Sequence, residues 1–163
     1  MAALAALAAL AVAGCGGGGK PKEAATQLVS GAGFRFRSPA DWPVKRGPHV
    51  VSAARPGSAT DLVSVSTFRL PRVPTTAQID AGAEQLARTL RGRVTSRRFA
   101  TIAGGRARSF ELSYRRGGKD LGIRLSFVLR GRREYQLLCR WEAPPGNEIS
   151  TACDLLAASF RPG

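Results

Sequence analysis

The 163-residue chain has one histidine, one methionine, two tryptophans, two tyrosines and three cysteines. With His49 as its only histidine, the chain cannot build a histidine-rich metal site, and any Ser–His–Asp arrangement would have to use that residue. It has no G-x-S-x-G nucleophile elbow and no Walker-type loop. The glycine run Gly16–Gly19 follows no strand, so it reads as linker rather than phosphate cradle. Carboxylates number only 11 and suggest no general acid/base pair. No apolar run reaches the roughly 20 residues of a membrane-spanning helix. The composition therefore predicts a protein that is not an enzyme and carries neither cofactor nor metal. At 44% apolar residues, the chain is also too hydrophobic to be wholly disordered. Its length suits one domain.

The clearest signal lies in the first fifteen residues. Residues 2–13 read AALAALAALAVA, the length of a signal-peptide core, and end in Val12-Ala13-Gly14-Cys15. An aliphatic residue, two small residues and a cysteine in that order resemble the lipobox of bacterial lipoproteins. The resemblance implies that residues 1–14 are a signal peptide and that Cys15 carries the lipid. The protein would then sit on the extracytoplasmic face of the cell membrane. One departure is that no Lys or Arg precedes the run, which a start codon further upstream would supply. The competing reading is a buried Ala/Leu helix with a core cysteine, which the four glycines after Cys15 would stop. Residues 15–33 read as a lipidated flexible tether, and residues 34–163 as the folded domain.

Phe34 to Arg37 alternates as a short strand, Val50-Val51 suits a second, and Leu62 to Phe68 a third. Thr75 to Leu90 then changes period. Ile79, Ala83, Leu86 and Leu90 form a helical stripe, and Thr75 with Gln78 fits a capping box. Val94 to Thr101 is a further strand. Gly104-Gly105, Gly117-Gly118 and Gly131 mark turns between alternating runs centred on Phe110, Leu125 and Leu137. A closing helix carries Ile149, Cys153, Leu156 and Phe160. The expected class is α+β. An antiparallel sheet of about six to seven strands packs with two main helices.

Gly33-Phe34-Arg35-Phe36-Arg37-Ser38-Pro39-Ala40-Asp41-Trp42 resembles the G-F-x-F-x-x-P-x-x-W opening of PsbP-like domains. Leu155 to Phe160 resembles their terminal helix. The resemblance covers roughly residues 33–161 and implies an α/β/α sandwich. The family spans a photosystem II extrinsic protein, a Ran-pathway transport factor and many bacterial lipoproteins. Its shared motif holds no catalytic residue, so Trp42 and Phe160 are expected as core anchors.

With Cys15 acylated, only Cys139 and Cys153 remain to pair, in a compartment that permits disulfides. Cys139 is in phase with Leu137 and Trp141, and Cys153 with Ile149. Both sulfurs are expected at the helix–sheet interface as a disulfide, the alternative being two buried free thiols.

The 25 cationic residues comprise 21 Arg and 4 Lys, for a formal charge of +14. Residues 85–140 hold 15 cationic and 3 acidic side chains. Arg106, Arg108, Arg115, Arg116, Arg124, Arg130, Arg132 and Arg133 are candidates for one basic face toward an anionic partner. A GC-rich genome produces the same skew without any binding role. Nucleic acid is a poor candidate partner, because no aromatic stacking motifs interleave with the charge. The expected function is a membrane-anchored binding or accessory module for an anionic envelope polymer or a membrane protein. The alternatives are a docking subunit of a larger membrane complex and a carrier of a small ligand.

Overall fold

The computed structural model describes residues 25–163. The expected signal peptide and Cys15 lie outside the described residues. The chain forms β1 (Thr26–Gly31), β2 (Phe34–Pro39), β3 (Val44–Arg46), β4 (Val50–Ala54), β5 (Leu62–Arg69), α1 (Thr76–Thr89), β6 (Arg93–Ile102), β7 (Gly105–Arg116), β8 (Lys119–Arg130), β9 (Arg133–Glu142), α2 (Asn147–Ser159) and β10 (Arg161–Pro162). Seven strands form one antiparallel sheet in the order β3-β4-β5-β9-β8-β7-β6. The α+β expectation holds, with the strand number at the top of its range. None of the described helices is long and apolar enough to cross a membrane.

Side chains alternate across the sheet, so each strand of the meander feeds two cores. Phe110, Leu112, Ile123 and Leu125 project to one face, where Ala83 and Ala87 of α1 cover them. Two alanines at the contact let the helix approach closely. Val63, Val65, Leu137 and Cys139 project to the other face and meet Ile149, Ala152, Cys153 and Leu156 of α2. The two helices thus cover opposite faces, as an α/β/α sandwich requires. Thr75 caps α1 as expected: its side chain accepts from the Gln78 amide, and Gln78 reaches back to the Thr75 amide.

Two features depart from the sequence reading. Residues 26–31, read as tether, form β1, which pairs with β2 from Thr26↔Pro39 to Gly31↔Phe34. The folded domain therefore begins by Thr26, ahead of the boundary expected at Phe34. Val29 is fully buried, but a single inward apolar residue beside glycines and polar residues shows no periodicity. Second, β1, β2 and β10 make a separate three-stranded sheet that closes over α2. An aromatic knot joins its layers. Phe34 lies 6.2 Å from Tyr135 and 6.4 Å from Phe160, and Tyr135 lies 5.4 Å from Phe160. The Tyr135 hydroxyl donates to the Gly33 carbonyl at 2.9 Å. Trp42 and Phe160 are both buried, as core anchors should be.

Gly122 faces Trp141 directly across β8 and β9. A Cβ at residue 122 would run into the indole ring. Gly122→Ala should therefore cost about 1–3 kcal/mol, read as a lower denaturation midpoint with an unchanged slope. An unshifted midpoint would show that the indole has room to move.

Candidate functional site

The eight arginines singled out by composition do not share one face. Period-two alternation puts Arg106 and Arg108 on the α1 side and Arg124 on the α2 side. Arg115 and Arg116 sit at the β7–β8 turn. Arg130, Arg132 and Arg133 sit at the opposite end, around the β8–β9 turn.

Several of them have structural partners. Arg108 grips Asp80 of α1 with two bonds of 2.7 and 2.8 Å. The Arg108 bond holds the Asp80 carboxyl below the usual carboxylate range, and Asp80 raises Arg108 in return. Arg97 of β6 pairs with Glu84 of the same helix. Arg124 bridges Glu111 and Asp154, linking the sheet to α2. Arg115 lies 3.9 Å from Asp120, with both side chains mostly in solvent. Arg106 stacks 3.5 Å above the exposed ring of Phe99.

Arg130, Arg132 and Arg133 differ. With Arg69, they line a cleft of about 280 Å³ whose walls are arginine alone. None of the four pairs with a described carboxylate. Arg69 lies opposite Arg133, and Arg133 opposite Arg130, so three arginines stand in a row across β5, β9 and β8. Gly131 takes a φ of 57° at the tight turn, which sets Arg130 against Arg133. The adjacent Glu134 is directed to the other face, where it accepts from Gln136 at 2.7 Å. Composition misses Arg69 because it lies outside the cation-rich stretch. Only strand register brings it in.

The remaining candidates are quickly placed. Cys139 and Cys153 both reach the α2–sheet interface, as their periodicities require, and both are present as free buried thiols. Burial, with the neighbouring Cys153 thiol, pushes the Cys139 thiol well up. His49 is exposed just before β4. Among the described residues, no group of three or more His, Cys, Asp or Glu could hold a metal. A larger cleft, of about 550 Å³, lies between residues 55–61 and Lys119, Glu142 and Pro144. Its buried carboxylate, Asp61, is already bonded by Arg55, Thr60 and the Glu142 amide. That makes Asp61 a structural post for the loop.

The Asp80–Arg108 pair predicts a pH-dependent tie. A carboxyl depressed in the folded state stabilises above its unfolded pKa and loses that contribution as pH falls through the folded value. Asp80→Asn should cost about 1 kcal/mol at neutral pH. The difference from the natural sequence should vanish in strong acid, measured by urea unfolding at several pH values. A constant difference at all pH values would rule out the charge as its cause.

No protein-family model matches the chain, and neither does the sequence of any curated protein. Solved structures do resemble it. Cyanobacterial PsbP (CyanoP) from Synechocystis sp. PCC 6803 superposes with a TM-score of 0.65 at 17% identity, covering 92% of this chain and 98% of that one. LpqN of Mycobacterium tuberculosis, a protein involved in cell envelope biogenesis, gives 0.51 at 14% identity, covering 85% and 90%. A Bacteroides thetaiotaomicron VPI-5482 protein gives 0.62 at 12% identity over 85% of this chain. The match spans about half of that longer protein, 48%. At such identities the likeness concerns architecture, and it agrees with the sheet order and helix placement above: the domain has a PsbP-like fold.

Proposed function

We propose that the protein is a lipid-anchored, extracytoplasmic lipoprotein whose PsbP-like domain is a non-catalytic binding or accessory module for an anionic component of the cell envelope. The observation that carries the anchoring is Val12-Ala13-Gly14-Cys15 at the end of a twelve-residue apolar run. The ten residues between Cys15 and Thr26 span at most about 35 Å, so an acylated Cys15 would keep the domain close to a membrane surface. Two or more acyl chains give stable anchoring, at about 0.8 kcal/mol per buried methylene. The involvement of the similarly folded LpqN in envelope biogenesis fits this placement. The cation excess supplies the preference for an anionic partner. Cys139 and Cys153 would close as a disulfide in that compartment by exchange with an external disulfide oxidant, which leaves as its dithiol. The loop of about 15 residues would add roughly 3 kcal/mol.

Cys15→Ala should move the protein from the membrane fraction to the soluble fraction on cell fractionation. Retention in the membrane would refute the anchor. Proteolysis of the native protein without reductant, followed by mass spectrometry, should yield the peptides of Cys139 and Cys153 linked. Free alkylation of both residues would refute the bridge.

A further inference from the structure

We infer that Arg69, Arg130, Arg132 and Arg133 form a binding site for a phosphate-bearing polymer, at the end of the domain opposite the chain's entry at Thr26. Like charges directly opposite one another on neighbouring strands destabilise a sheet. Here the penalty recurs at two successive pairings, Arg69↔Arg133 and Arg133↔Arg130. Elsewhere in the meander, Arg97, Arg98, Arg108, Arg115 and Arg124 each have a carboxylate within 4 Å, Arg106 lies over the Phe99 ring and Arg140 donates to the Thr60 carbonyl. Among the described residues, the one hydrogen-bond acceptor for the row's side chains is a backbone oxygen, that of Ala103, which accepts from Arg130 at 2.6 Å. The guanidinium donors left over surround a cleft of about 280 Å³. Planar forks converging on one cleft match the oxygens of a phosphate, with two parallel bonds available per group.

Position selects the source of that phosphate. The chain enters the domain at Thr26, which pairs with Pro39, and Ala25 lies beside Glu148 at the start of α2. The arginine row lies at the other end, beside Gly33, where β1 and β2 turn. The length of β5, eight residues or about 26 Å, separates the two ends. The row is thus the part of the domain farther from Thr26, where a tether from Cys15 would enter. This choice of source rests on the anchored reading above, whereas the site itself does not. The four cleft-lining side chains include no aromatic on which a nucleobase could stack.

The test uses the purified full chain with Cys15→Ser, which removes the acylation position. Inorganic polyphosphate is the probe, in titration calorimetry at several salt concentrations. Binding should weaken steeply with salt. Arg69→Gln with Arg133→Gln should weaken it about tenfold or more, while Arg115→Gln with Arg116→Gln, equal in charge but at the other end, should stay within about twofold. Without ligand, the Arg69/Arg133 variant should melt higher than the parent, because the repulsion is relieved. Polyphosphate should raise the melting temperature of the parent only. No binding, or equal loss in both double variants, would overturn the site. Tighter binding to phosphatidylglycerol vesicles than to polyphosphate, through the same two arginines, would overturn the remote source. Tighter binding to duplex DNA would overturn the polymer class. Cell fractionation of Cys15→Ala reads the anchor separately, so failure of one reading leaves the other standing.

Discussion

A β-sheet with apolar side chains on both faces must be covered twice, and most of this structure follows from that requirement. The central strands β8 and β9 cannot be satisfied by one helix, because alternate residues point to opposite sides. Leu121, Ile123 and Leu125 need α1, while Leu137 and Cys139 need α2. The small sheet and its aromatic knot are the outer lid of the second layer. Phe34, Phe36 and Phe160 fill the space that α2 alone leaves open around Tyr135.

The same alternation organises the charge. Arginines on the meander are divided between two faces, and where a helix lies over them they become ties: Arg108 to Asp80 on one side, Arg124 to Asp154 on the other. A basic composition is thus partly structural. Part of the remainder collects where strands end, at Arg69, Arg130, Arg132 and Arg133. Net charge alone does not separate these two populations, since both contribute equally to +14. What separates them is whether a carboxylate on the covering layer stands opposite.

Elements with a strong internal signal were legible. α1 carries a stripe and a capping box in its own residues, and the Gly117-Gly118 hairpin takes positive φ at both turn positions, 60° and 80°. β1, β3 and β10 carry no such signal. They are short, with at most one fully inward apolar residue each, and they exist because β2 and β4 offer them a hydrogen-bonding edge. A tether and an edge strand have the same composition when the partner strand supplies the stability. The Ala103 turn is a similar case: an alanine holds φ at 52° because the β6–β7 register demands it.

The sequence by itself determined which residues of the two helices and the long strands face inward, because the periods of helix and strand are local properties of the backbone. It also brought Cys139 and Cys153 to one interface. Tertiary structure alone decided that the two helices take opposite faces, that residues 26–31 belong to the fold, and that Arg69 joins Arg130 and Arg133. These outcomes depend on which strands and layers meet, and that is settled by the packing of whole layers rather than by any local run of residues.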